Sequence, residues 1–465
     1  MLRTRPARAA GGAQPRPTSR NYFRDALCPT APPSVIAAVV TDHAALDQTA
    51  CSLDVSDREV IRPQTYHEDP HLPRSRVARL LAPVFHRILD RIDAGLEQGG
   101  IDATLPDGTR RLLGGRAPGP VPVVAIHRWR ALTRLVTGGS IGWYRGWRDG
   151  DWSSPDPVPL FDLFMRNRLA LGRTARSGGV SRWLQRGWHA LRRNTRARAR
   201  ENIEAHYDLG NDFYREWLDD SLTYSSAMFA EGDTLELAQE RKLRGILKRT
   251  GARAGDRVLE IGCGWGSFAA VASAAGVHVR GLTLSTEQKA HGDDLALPFV
   301  TFALADYRDE AETYDAVASI EMVEAVGRQY WPAYLDTIAR VLKPGGRAAI
   351  QFISIADDVF ERYAESVDFI QRYIFPGGML LSTSRFRALA EARGLAWTDH
   401  QAFGLDYAET LRRWRERFDL AIAERRLPAR LDPELVALWR YYLMYCEGGF
   451  RGGGIDVAQV TLVKV

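Results

Sequence analysis

The sequence predicts an α/β protein: a doubly wound sheet over residues 202–465, preceded by a small α+β domain. Three observations carry this expectation. The 465 residues exceed what one ordinary core organises, so two domains are expected. Val258-Leu259-Glu260-Ile261-Gly262-Cys263-Gly264-Trp265-Gly266 reads as a buried strand running into a glycine-rich turn, with a helical pattern from Ser267. From there to the C-terminus strand-like and helix-like segments alternate, the pattern of a sheet with helices on both faces.

Taken in order, residues 1–74 are rich in Arg, Pro, Ala and Thr with irregular apolar spacing. They are expected to be a disordered tail, with a weak helix candidate at 34–47. Residues 75–171 form the small domain. An amphipathic helix over 75–96 is expected from apolar residues such as Val77, Leu81, Ile88 and Leu96, with Pro83 kinking it or marking its start. Short strands at 103–106, before Asp107-Gly108, and at 121–126 follow. Gly138-Gly139-Ser140 reads as a turn ahead of the aromatic tract Gly142–Trp152. The linker 172–201 is basic: residues 173–200 hold nine arginines and no acid, with Trp183 and Trp188 at helical spacing. Such a segment suits an anionic lipid surface and predicts salt-sensitive vesicle binding; a solvated linker helix is the plain alternative. In 202–465 the expected strands are 257–261, 277–284, 300–305, 316–320, 348–353, 397–402 and 457–463. Lys343-Pro344-Gly345-Gly346 is expected to be a turn closing a helix over 330–342.

Composition narrows the function classes. The chain is 45% hydrophobic and 26% charged, with a net charge of +5, which is globular composition. Its cysteines, Cys28, Cys51, Cys263 and Cys446, are scattered and form no CxxC pair, so neither a disulfide framework nor a metal site is expected. No apolar run approaches the roughly 18 residues of a membrane span, and no secretory signal is evident. The expected setting is the cytoplasm, peripheral to the inner face of the cell membrane. No nucleic-acid fold signature accompanies the arginines, and no nucleic-acid partner is expected.

Glycines at alternate positions let backbone approach a ligand where a Cβ would clash, and aim the amides of the next helix at it. A NAD site would place an acid at the end of the second strand. Gly281-Leu282-Thr283-Leu284-Ser285-Thr286 has none, which disfavours NAD. Glu260 instead sits inside the first motif. Asp306-Tyr307 follows the third strand, where an acid can accept from an adenine amino group and an aromatic can stack. This order, with Leu-Lys-Pro-Gly-Gly after it, resembles S-adenosylmethionine-dependent methyltransferases and implies a Rossmann-like class I methyltransferase fold.

Further strings narrow the resemblance. They are Asn202–Tyr214 (NIEAHYDLGNDFY), Leu222-Thr223-Tyr224-Ser225-Ser226-Ala227, Ser319-Ile320-Glu321-Met322-Val323-Glu324, Tyr373–Gly378, Phe403-Gly404-Leu405-Asp406-Tyr407, and Tyr441-Tyr442-Leu443 leading to Cys446. Together they resemble the cyclopropane-fatty-acid synthase family, which includes the mycolic acid cyclopropane synthases. The resemblance spans about 202–460, and the Gly142–Trp152 tract adds the small N-terminal domain of longer members. It implies methyl transfer from S-adenosylmethionine to a cis double bond of an unsaturated phospholipid acyl chain, with cyclopropane closure. The alternative is C-methylation without ring closure, giving a methyl-branched or methylene chain. It allows a homodimer.

By the same resemblance the cofactor meets Tyr224, Ser225, Glu260, Gly262, Gly264, Gly266, Thr283, Gln288, Asp306 and Tyr307. Bicarbonate is implied as the base, held by five positions, here Ser226, Glu324, Gln351, Ile353 and Tyr407. This chain departs there: Ser226 stands where the family has Cys, and Gln351 where it has His. Ala325, beside the glutamate, also replaces a usual His. Glu324, Tyr407, Cys446, Ser226 and Gln351 are therefore the catalytic candidates. Phe360, Tyr363, Phe369, Tyr373 and Phe375 are candidates to stabilise a carbocation through their ring faces.

Overall fold

A computed structural model describes residues 76–172 and 209–465, all within one compact unit, Thr65–Val465. The tail expected over 1–74, the basic linker beyond Gly172 and the start of the 202–214 string lie outside the described residues.

In the small domain α1 (Arg76–Ala94) runs through Pro83 and buries Leu89 and Ile92. β1 (Gly100–Thr104) and β2 (Arg110–Gly114) pair antiparallel about the Asp107-Gly108 turn. Only the first of these strands was evident in the sequence, because Arg110-Arg111-Leu112-Leu113 does not alternate. β3 (Val123–Ile126) lies parallel to β1, and β4 (Trp152–Ser153) completes a sheet of order β2-β1-β3-β4. α2 (Arg130–Arg148) contains the Gly138-Gly139-Ser140 segment. The expected turn is a kink: Gly139, at φ 56° and ψ −137°, bends the helix without ending it. Trp143 then stacks on Trp152, ring centroids 4.3 Å apart, before α3 (Val158–Arg166).

The large sheet has seven strands: β5 (Arg257–Ile261), β6 (His278–Thr283), β7 (Val300–Leu304), β8 (Tyr314–Ile320), β9 (Leu342–Ile355), β10 (Leu395–Ala402) and β11 (Ile455–Lys464). Their order is β10-β11-β9-β8-β5-β6-β7, and β11 runs antiparallel to both neighbours. All seven expected strands are present. Lys343–Gly346 is not a free turn but an excursion inside β9. Leu342 pairs with Tyr314, and the register resumes at Arg347 with Ala316. The order reverses between β5 and β8, which opens a crevice at their C-terminal ends, where ligands bind such sheets.

The helices around this sheet are α4 (Leu235–Thr250), α5 (Ser267–Ala274), α6 (Thr286–Asp294), α7 (Trp331–Val341), α8 (Asp357–Ala364), α9 (Phe369–Tyr373), α10 (Thr383–Glu391), α11 (Gly404–Ala423) and α12 (Pro433–Arg451). α4 starts where Thr234 Oγ1 accepts from the Leu237 amide and stops at Gly251, which takes φ 69°. α12 ties the halves together. A Cβ on Gly448 would lie 2.5 Å from Phe161 Cβ, so only glycine lets α3 pack this closely. One apolar core accordingly runs from Leu89 and Trp152 through Phe213 to Trp414 and Tyr441.

Candidate active site

A cavity of about 500 Å³ lies over the C-terminal ends of β5, β6 and β8 and extends beneath the small domain. Every residue expected to meet the cofactor lines it except Gly266. The glycine loop shows why each glycine is there. Gly262 takes φ 80°, and a Cβ on it would meet Met322 Cγ at 2.7 Å. Gly266 takes φ 92°, and its Cβ would meet the Phe302 ring at 2.8 Å. Its part is to turn the chain into α5. Gly264, at φ 52°, has no atom within 4 Å of a built Cβ, so a ligand can come directly against its backbone.

Side chains complete this end. Thr283 Oγ1 donates to Gln288 Oε1 at 2.7 Å. The Tyr224 and Tyr442 hydroxyls are 3.0 Å apart. The Asp306 carboxylate accepts from Arg308, whose guanidinium lies over the Tyr307 ring at 5.7 Å. Glu260 is fully buried and its Oε2 has no hydrogen-bond partner; burial raises its pKa well above the usual range. Glu260, Glu321, Glu324 and Lys242 line the inner cavity. The open backbone at Gly264 lets S-adenosylmethionine come directly against the loop.

The acceptor end is organised around a residue the sequence analysis left out of its site. Glu321, just after β8 at φ 50°, lines the cavity. Its Oε1 accepts from the Ser226 amide at 2.8 Å and from Gln351 Nε2 at 2.8 Å. Its Oε2 accepts from the Tyr407 hydroxyl at 2.7 Å. Ser226, Gln351 and Tyr407 are three of the positions implied to hold bicarbonate. A fourth, the Ile353 amide, donates to Glu324. The cradle thus holds the protein's own carboxylates, and these residues do not fit a separate bicarbonate. Ser226 and Gln351 are also buried behind the lining and not in it. The Ser226 hydroxyl turns away to the Ala227 carbonyl, so its amide is the contributing group. Burial pushes the Glu321 pKa up, against its hydrogen bonds and the Lys242 charge, which pull it down.

Glu324 and Cys446 both line the cavity. Glu324 has one oxygen on the Ile353 amide and one, Oε2, buried without a partner. Burial first, and the nearby Glu321 charge second, push its pKa up to about 8, so it is mostly protonated at neutral pH. Burial likewise pushes the Cys446 thiol far up, which removes the thiolate a nucleophile requires. Of the aromatic candidates, Tyr363 and Phe375 line the cavity. Phe360 and Phe369 are core, and Tyr373 receives a hydrogen bond from Arg145 outside it. Tyr442, quoted above within a motif but given no role there, lines the cavity with Tyr407. Ile92, Leu135, Trp143, Phe161 and Phe164 of the small domain form an apolar arm continuous with this centre.

Comparison with known proteins agrees with this geometry. Residues 194–460 match the family model described as mycolic acid cyclopropane synthetase. The chain is 36% identical over 421 residues to tuberculostearic acid methyltransferase of Mycobacterium tuberculosis, covering 84% of this chain and 94% of that one. It is 33% identical over 336 residues to cyclopropane-fatty-acyl-phospholipid synthase of Escherichia coli, covering 71% and 85%. Among solved structures, mycolic acid cyclopropane synthase CmaA1 complexed with SAH and CTAB superposes with a TM-score of 0.54 at 32% identity, over 57% of this chain and 98% of that one. The glycine loop, the seven-stranded sheet and these matches together place the chain in the mycolic acid cyclopropane synthetase family of S-adenosylmethionine-dependent methyltransferases.

Proposed function

We propose that this enzyme methylates the cis double bond of an unsaturated phospholipid acyl chain, and that Glu321 receives the proton released afterwards. We infer a methyl-branched or methylene product and not a cyclopropane. The observation that carries the reading is the Glu321 carboxylate in the cradle expected for bicarbonate. Bound S-adenosylmethionine supplies an electrophilic methyl group on sulfur. The apolar arm under the small domain holds the acyl chain away from water, which a weak alkene nucleophile requires. Methyl transfer moves the positive charge from sulfur to the chain, where the faces of Tyr363, Phe375 and Tyr442 surround it. A C–H bond of the chain or of the new methyl then breaks, its electron pair forms a C=C bond, and the proton passes to Glu321.

The three donors pull the Glu321 pKa back only part of the way from the rise that burial imposes, and they fix the carboxylate in place. A base fixed away from the new methyl leaves time for a neighbouring hydride to shift, which leads to branching before ring closure. The relative with the fuller coverage is named as a methyltransferase, which supports the same outcome. Among the described residues no helix is long and apolar enough to cross a membrane. We infer that the substrate is reached from the surface of a membrane, the cytoplasmic face being the expected one.

The test uses purified protein, S-adenosylmethionine and vesicles of a cis-monounsaturated phospholipid, with released fatty acids read by mass spectrometry and proton NMR. A net gain of CH2 with vinylic protons and a branch carbon is the expected result. The same gain with upfield ring protons means ring closure and overturns the branching assignment. No gain, with cofactor bound, overturns the acceptor assignment.

A further inference from the structure

Lys242 lies on α4 and has no part in the scheme above. Its side chain is wholly buried, and its ammonium donates to Ser225 Oγ at 2.6 Å. One turn earlier Gln239 Nε2 donates to the Ser225 carbonyl at 2.9 Å. These two side chains hold the 223–226 segment from behind, and the Ser226 amide of that segment holds Glu321. Burying an ammonium costs several kcal/mol unless opposite charge compensates. A methionine would fill the same space without that cost, so packing alone does not account for a lysine here.

The charges that face it do. Glu321 after β8, Asp219 before the 223–226 segment and Glu260 in β5 all act on Lys242, Glu321 most strongly. Asp219 is already engaged by the Ser221 and Thr223 amides. Around Glu321 itself stand Glu324, mostly protonated at neutral pH, and the Tyr407 and Tyr442 hydroxyls. Burial brings the Lys242 pKa down to about 8, which leaves it mostly charged at neutral pH. The Lys242 charge pulls the Glu321 pKa down, against burial.

We propose that Lys242 is a positioning residue: the counter-charge, set behind the Ser225–Ser226 backbone, that keeps Glu321 ionised between turnovers. This rests on the reading of Glu321 as the proton acceptor. Two variants test it. Lys242→Met removes charge and hydrogen bond; Lys242→Gln removes the charge but keeps a donor for Ser225. In both, the acid limb of the kcat–pH profile should move to higher pH by about one unit, with roughly tenfold lower turnover on the acid side, because losing a nearby cation raises a carboxylate pKa. Cofactor Kd by calorimetry should stay within a few-fold of wild type. An unmoved acid limb in the glutamine variant, or full rescue by glutamine, would show a purely structural anchor and overturn the proposal. So would a loss confined to cofactor affinity. Should the methionine variant not fold, the glutamine variant decides. A Glu321→Gln enzyme that still turns over sinks the underlying reading; an inactive one beside unshifted Lys242 variants sinks only this proposal.

Discussion

The two ends of the cavity are built differently. The cofactor end is made by backbone within a single loop: Gly262, Gly264 and Gly266 are required by positive φ, by close packing or by open approach. The acceptor end is made by side chains from separate segments. Ser226 comes from the 223–226 segment, Glu321 from the end of β8, Gln351 from β9 and Tyr407 from α11. A loop motif binds by local geometry, whereas a constellation depends on the whole fold. Damage to the two ends should therefore look different.

The largest expected effect is at the constellation. Glu321→Gln should lower turnover by about 10²- to 10⁴-fold, the usual contribution of a positioned base, with cofactor Kd little changed. Gly266→Val should do the reverse. Strain of about 1–3 kcal/mol at its φ of 92°, added to the contact with Phe302, is relieved only by moving the loop. Cofactor affinity by calorimetry should fall by about tenfold, from strain of that size. If both variants damaged binding and turnover equally, the two-part description would be wrong.

Smaller effects sharpen the comparison. Tyr407→Phe deletes one donor to Glu321, and hydrogen bonds to charged groups contribute about 1.5–3 kcal/mol. Losing a donor to the charged form raises the Glu321 pKa, so the acid limb should move to higher pH. Glu324 predicts a stability effect. Its folded pKa, about 8, lies above the usual 4.5, so the folded state binds more protons between those values. Stability from this group is present below about pH 4.5 and is lost as pH rises through 8. Glu324→Gln should therefore lose less Tm than wild type between pH 5.5 and about pH 8.5. The smallest effect belongs to Cys446→Ala, where turnover should change by less than about threefold, because a buried thiol with a raised pKa is inert.

The same contrast decides what could be read from the chain. The glycine loop, the strands and Asp306-Tyr307 were legible because each depends on neighbours in sequence. The helix kink at Gly139 and the excursion at Lys343–Gly346 were misread as turns, since glycine marks a bend without saying whether pairing continues past it. Glu321 was passed over for Glu324, three residues on, because only tertiary packing brings Ser226, Gln351 and Tyr407 around it. Ser226 and Gln351 looked like losses from a bicarbonate site; beside Glu321 they are its partners. Lys242 did leave a trace. Leu235, Ala238, Leu243 and Ile246 mark the buried face of α4, and Lys242 falls on it. Its neighbours Glu240, Arg241 and Arg244 are exposed, so in sequence Lys242 does not stand out from them.

Dependence on bicarbonate tests the central claim most directly. Turnover would be measured with wild-type enzyme in buffer stripped of carbon dioxide, and again after bicarbonate is restored. With Glu321 filling the cradle, the two rates should be equal. A rate that collapses without bicarbonate and returns with it would contradict the account and restore the external base.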